Sequence, residues 1–409
     1  SGDLPPHDKA RNSILLKTSD FGTLPLCTDV PEDEQPVVDA NGNVDSCIPR
    51  FVAGAGDDRL AGTTDDDWRP APGSVLSDGA GHAQVPIDAA GRQRTRGAGP
   101  DIGAFEGFRV LTVAEAPVSC EPDDVGLAGT VCPWSAPYPD VHAALAEAHD
   151  DPHVAEIWAQ KASVATNITL VMRGALALRG GFEGGETRLS QRIPGRSLTS
   201  FSSLGGINGL RQIACARDVT VDHLGVRDSD NWVDHSGAGV QLWHASAHLD
   251  RLVVEGNETT NYGNLPSHGA GMSLLSSEVR VTNSTFAGNV AEHDGGGAYV
   301  DANSSLVVHG SVFTGNEAAA GAAIHVADGG HLSLMQCTVY GNQSAAAGAV
   351  HAVGAATGSL RYSVFWENFS QNLGSGFEAQ VVGSNMQAEG NVAQNASGYP
   401  GYTDNEPHF

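Results

Sequence analysis

One feature constrains this chain more than any other: two short motifs recur in step, about 26 residues apart. The first closes on asparagine, in VVEGN (253–257), TFAGN (285–289), VFTGN (312–316), TVYGN (338–342) and VFWEN (364–368). Asn257, Asn289, Asn316, Asn342 and Asn368 therefore follow one another at steps of 32, 27, 26 and 26. The second motif is rich in Gly and Ala: GAGV (237–240), GAGM (269–272), GGAY (296–299), GAAI (321–324) and GAV (348–350). Alternating apolar stretches such as SLVVHGSVF (305–313) and HLSLMQCTV (331–339) run between them.

A period this short excludes a propeller blade of ~40–45 residues, and no leucine-rich signature accompanies it. Three short strands per turn, with turns stacked at ~4.8 Å, satisfy both motifs at once. The spacing predicts an all-β chain, a right-handed parallel β-helix, with apolar side chains stacked inside and Gly and Ala at tight corners. The five recurrent asparagines are expected to form an amide ladder in one corner, because side-chain amides bond along a stack. The longer step after Asn257 predicts an extended loop, NETTNYGNLPSHG.

Upstream the pattern changes. Asp140 is placed to N-cap a short helix, VHAALAEAH, whose Val141, Ala144, Leu145 and Ala148 make one apolar stripe. HVAEIWAQ (153–160), NITLVM (167–172) and ALALRGGF (175–182) read as strands, with the helix covering the first coil. The body of the solenoid is thus expected over 140–409, preceded by a linker or cap loop at 109–139.

These motifs resemble a known group. The Gly-Gly-Ala-aliphatic and Phe-x-x-Asn pairing resembles the repeats of bacterial polymorphic outer-membrane proteins. The stretch from Glu156 to Arg192, with RGGFEGGETRLSQR, is similar to the opening coils of secreted bacterial β-helix proteins. RLAGTTDDDWRPAPGSVLSDGA and GRQRTRGAGPDIGAFEG (within 59–107) resemble the closing segment of the same proteins, which often precedes a surface anchor. The resemblance implies a β-rich closing segment at 1–108, extracellular or on the bacterial cell surface, and a structural role such as a fibre, stalk or adhesin unit.

The order is the anomaly, because a closing segment stands before an opening one. NSIL…IPRFV (12–52) is also similar to YSVF…EPHF (362–409). Three arrangements are compatible with this: a piece of a tandem array, a segment folded back on its own C-terminal end, or a segment docking on a neighbour. The last gives a heterologous head-to-tail homopolymer, with Asn12, Ile14, Phe51, Phe105, Phe365 and Phe409 as its contacts. The stretch also starts at Ser1 without Met, which reads as a mature or excised segment.

Charge and cysteine content narrow the partners. Lys and Arg total 22 against 48 Asp and Glu, a net charge of −26, which repels phosphate backbones and argues against nucleic acid. No apolar run approaches the ~20 residues of a spanning helix. Cys27 with Cys47, and Cys120 with Cys132, bracket polar loops and are expected as two disulfides, whereas Cys215 and Cys337 lie in apolar runs and read as buried thiols. DANGNVD puts Asp39, Asn41, Asn43 and Asp45 at alternate positions, a spacing that would let a loop wrap Ca²⁺; a plain Asn-Gly turn competes. No other cofactor is implied.

Catalysis is weighed and set aside. Asp222, Asp228, Asp230, Asp234 and Asp250 are the densest acids on the coils, with His223, His235, His244 and Arg227 nearby. No polygalacturonase-like or lyase-like constellation accompanies them, so they read as solvated outer positions and the chain as no enzyme. A glycan-binding or glycan-cleaving β-helix is the alternative, with Trp232 and Trp243 as a sugar platform and a cell-surface glycan as partner.

Overall fold

Each coil is built from a strand whose side chains alternate in and out, followed by shorter strands around the same core. In one coil these are Ser305–His309, Val312–Thr314, Glu317–Ala318 and Ile324–Val326, and the next coil opens at His331–Met335. The computed structural model describes residues 109–118, 133–151, 154–161, 163–166, 170–172, 176–186, 189–192, 199–203, 210–212, 219–231, 237–260, 266–374, 380–383, 385–396 and 399–404. It also describes the strands Ile14–Leu15, Val37–Val38, Val44–Asp45, Phe51–Ala53 and Asp67–Pro70. The chain divides into two compact units. One is Ser1–Pro137, Asp150–Glu156 and Gly184–Arg192; the other is Tyr138–His149, Ile157–Glu183 and Ile193–Phe409.

In the second unit, equivalent strands stack in parallel into three long faces and one short row. Face one runs from Ala177–Phe182 to Met386–Glu389; face two has ten strands, from Ser163–Thr166 to Tyr402–Thr403; face three has eight, from Leu170–Met172 to Val381–Val382. The short row, from Asp230–Asn231 to Phe369–Ser370, is a fourth element that the repeat did not announce. Its strands are two residues long, too short to show any periodicity.

Register carries the core. Val281, Val308, Leu334 and Leu360 are successive partners on face one, and Phe286, Phe313, Val339 and Phe365 on face two. All eight are fully buried, and each contributes roughly 1.5–3 kcal/mol relative to exposure. The Phe286 and Phe313 rings stack at 4.8 Å and 4°. Between faces one and two the backbone turns through positive φ at His223, Arg251, Asn283, Gly310, Gln336 and Tyr362 in successive coils. That corner takes bulky residues at a conformation that favours glycine, so the sequence does not mark it.

The helix forms as its stripe requires. It spans Val141–Asp150, with the Ala143 N–H donating to Asp140 Oδ1 at 2.9 Å, and with Val141, Ala144 and Leu145 buried. Ala148 is half-buried. In the first unit, the stretch expected to be a linker contains ordered pieces. Arg109–Val113 is a strand with Leu111 and Val113 buried, and Thr112 Oγ1 donates to Pro133 O at 2.7 Å. Trp134 is fully buried, its indole N–H donating to Glu186 O at 2.8 Å.

Candidate functional site

The asparagine column follows directly from the repeat. Asn257, Asn289, Asn316, Asn342 and Asn368 are all fully buried. Each side-chain N–H of the first four donates to the next Oδ1 at 2.8–2.9 Å. Each also reaches a carbonyl of the preceding coil, as Asn316 Nδ2 does with Phe286 O at 3.0 Å. Gln380 ends the ladder: Asn368 Nδ2 donates to its Oε1 at 2.7 Å, and Gln380 Nε2 donates back to Asn368 O at 3.2 Å. Gln380 stands 12 residues after Asn368, off the beat, and sequence reasoning passed over it. A parallel column at the preceding corner holds Ser284, Ser311, Cys337 and Ser363, where Oγ atoms accept backbone N–H groups one coil back. Cys337 is a buried free thiol, its pKa raised mainly by burial.

The acid set divides. Asp222 is buried and not solvated as expected: it pairs with its neighbour His223 and takes Arg179 Nη1 at 3.3 Å, with Arg251 Nη1 at 3.9 Å. Asp250 is its register partner, so two like charges are stacked. Arg251, Thr282 and Asn283 offset the repulsion, bonding Asp250 at 2.7, 2.6 and 3.0 Å. Asp228 and Asp230 are exposed at the next corner. Asp234, His235 and Trp232 lie outside the described residues.

Two outer surfaces carry chemistry. On face one a trough of about 1200 Å³ is lined by His244, Ser246, His248, Glu278, Arg280 and Asn303. It lies where the turns into face one are short, at 244–245 and 276–277, and is walled where the turn 301–304 projects. Trp243, 42% exposed, stands beside His244 with ring centroids 5.7 Å apart.

On face three, Tyr299, His325 and His351 are register partners. The His268 and His325 rings lie against Tyr299 at 4.4 and 5.5 Å, tilted 18° and 13°. Asp294 Oδ2 is 3.5 Å from His268 Nδ1, and its Oδ1 is 3.8 Å from His325 Nδ1. Burial lowers both imidazoles to about 4. For His268, Asp294 opposes this and the neighbouring His325 and His293 add to it; for His325, His351 adds to it. Burial also lowers His351, and raises Tyr299 with help from Asp294 and Asp301. Contacts of 31 and 26 residues' separation between unlike side chains leave no motif, so sequence reasoning missed this stack.

Among the assembly residues, Phe365 is corrected. It is fully buried on the inward column of face two, edge-on to Tyr402 at 6.2 Å, and offers nothing to a neighbour. Ile14 and Phe51 lie in the short strands Ile14–Leu15 and Phe51–Ala53, while Asn12, Phe105 and Phe409 lie outside the described residues. So do Cys27, Cys47, Cys120, Cys132, Cys215, Asp39, Asn41 and Asn43; Asp45 closes the strand Val44–Asp45. Among the described residues no three His, Cys, Asp or Glu side chains gather to hold a metal ion, and no helix is long and apolar enough to cross a membrane.

Residues 212–393 match the family described as the right-handed β-helix region. The fold is a right-handed parallel β-helix. The match spans the regular coils and both columns, from the face-three strand ending at Gln212 to the face-two strand ending at Ala393. No curated protein and no solved structure matches the chain.

Proposed function

We propose that this β-helix is a structural rod of an extracellular, bacterial surface protein, a fibre, stalk or adhesin unit that extends by end-to-end docking of copies of itself. Solenoids need polar caps at both ends to stay apart, and an uncapped strand edge is a template for another chain. One observation carries the reading. Of the seven exposed large apolar side chains among the described residues, four lie in the last coils: Tyr362 at 55%, Phe369 at 45%, Leu373 at 40% and Tyr399 at 40%. Around them, Val381–Val382, Met386–Glu389 and Tyr402–Thr403 are the terminal strands of their rows, paired on one side among the described residues, while Phe369–Ser370 ends its row with Ser370 bridged back to Gly374.

The proposed occupant of that edge is the segment 1–108 of a neighbouring copy. It brings its own short strands, including Phe51–Ala53 paired with Asp67–Pro70. The net charge of −26 disfavours lateral clumping while leaving the apolar end free to dock. Sedimentation across concentration tests this. The intact chain associates; Phe369→Glu with Leu373→Glu, both on exposed positions, stays monomeric and keeps the same melting temperature. Unchanged association of that variant overturns the reading.

A second reading rests on the trough. Its lining sets His248, Glu278 and Arg280 on outward strand positions, with His244 in the adjacent turn, a surface suited to a polyhydroxylated chain. Calorimetry with neutral and acidic oligosaccharides, against His248→Ala with Arg280→Ala, tests it; no binding by the intact chain removes it.

A further inference from the structure

We propose that His268, Asp294 and His325 form a proton-binding site, and that proton uptake there parts the coils at the glycine-rich corner they share. The geometry is a single carboxylate between two imidazoles of different coils. Asp294 belongs to the coil of Tyr299; His268 comes from the coil before and His325 from the coil after, on opposite faces of the Tyr299 ring. The two Nδ1···O separations, 3.5 and 3.8 Å, exceed hydrogen-bond length. Both Nδ1 atoms are buried and make no hydrogen bond, and the His325 residue is only 7% exposed. Because the imidazoles flank the tyrosine and face different oxygens of Asp294, one metal ion does not reach both, in keeping with the lack of a three-ligand cluster.

A proton is the ligand that fits. Taken from solvent by His268 Nδ1, it turns a 3.5 Å gap into a charge-assisted hydrogen bond to Asp294 Oδ2, which closes to roughly 2.8 Å. A second proton, on His325, places another cation in a buried stack whose one carboxylate is already engaged. The other titratable groups about the stack do not compensate. His293 lies edge-on to His268 at 5.8 Å, its Nδ1 accepting the Ser267 N–H at 3.4 Å, and His351 lies edge-on to His325 at 5.1 Å. Tyr299 stays neutral, and Asp301 is held by the Ser276 N–H and Ser304 Oγ.

The strain falls on two backbone hydrogen bonds, Gly269 N–H to Asp294 O at 2.9 Å and Gly295 N–H to Ala320 O at 3.0 Å. These hold three consecutive coils at this corner. Face one, with its strands Glu278–Thr282 and Ser305–His309, lies away from this corner and keeps its own hydrogen bonds.

Histidine-resolved NMR of the intact chain between neutral pH and about 4, with amide exchange corrected for its intrinsic pH dependence, tests the proposal. His268 and His325 are expected to take up protons in two steps, both below the ordinary histidine range. Protection at Gly269 and Gly295 then falls about tenfold or more through the second step, while the face-one amides of Val281 and Val308 keep theirs. In Asp294→Asn the His268 step moves to lower pH, and in His325→Gln it moves to higher pH, which a merely structural role would not produce. The wild-type titration stands alone if either variant fails to fold. Ordinary titration of both histidines, or full protection at Gly269 and Gly295 once both are protonated, overturns it.

Discussion

Asn316 Oδ1 accepts two donors from one residue: the Asn289 side-chain N–H at 2.9 Å and the Asn289 backbone N–H at 3.1 Å. Asn316 Nδ2 in turn donates to Phe286 O and Asn342 Oδ1. All four capacities of the amide are used by protein groups. Asn316→Asp keeps the shape and one acceptor role but loses both donors and sets a carboxylate against two oxygens. Such a change costs on the order of 3 kcal/mol or more. Denaturant unfolding of the intact chain checks this; a loss below about 1 kcal/mol contradicts the ladder's role.

Cys337 occupies a serine position. Its N–H donates to Ser363 Oγ at 3.1 Å, yet its own sulfur is a weak acceptor for the Ser311 N–H. Cys337→Ser is therefore expected to be neutral or to stabilise by up to about 1 kcal/mol, in contrast to the loss usual for a buried thiol treated as a small hydrophobe. A fall of several degrees in melting temperature would show that packing outweighs the hydrogen bond.

The Gly/Ala motif has a steric origin. A Cβ on Gly271 would lie 2.5 Å from Gly297 O and 3.1 Å from Asn289 Cγ, so the corner and the amide ladder are pressed together there. Gly271→Ala forces two coils apart and costs roughly 1–3 kcal/mol. Hydrogen exchange is expected to quicken at Asn289 and at Asn257, whose N–H donates to Asn289 Oδ1, and not at the face-one strands.

Tyr402 sets an alkaline limit. Burial raises its phenol from 10.0 to about 12, so the unfolded chain loses its proton first. The stability tied to the neutral phenol is full below pH 10 and is lost as pH climbs through 12. Tyr402→Phe keeps the ring beside Phe365 and removes that part of the dependence. Thermal melts across this range compare the two proteins; parallel curves refute the assignment.

How much of this was legible depends on whether a side chain repeats. Asn257 to Asn368 recur at one position of every coil, so fold, core and ladder follow from the sequence. Gln380, Asp222 and the Asp294 stack do not recur. Gln380 reaches the ladder from off the beat, and Asp222 is buried only because Arg179 and Arg251 arrive from the coils on either side. His268 meets Tyr299 across coils whose loops differ in length. Such contacts are set by stacking in three dimensions and carry no local signature. The αL corner is hidden for another reason, since backbone hydrogen bonds to the next coil, Gln336 N–H to Arg361 O and Tyr362 N–H to Glu389 O, hold these residues where glycine would be the local choice.

The most direct test of the end-to-end account is negative-stain electron microscopy of the intact chain at rising concentration, beside the Phe369→Glu, Leu373→Glu variant. The account predicts filaments with one repeat per chain for the former and single short rods for the latter. Single rods from both, at every concentration, contradict it.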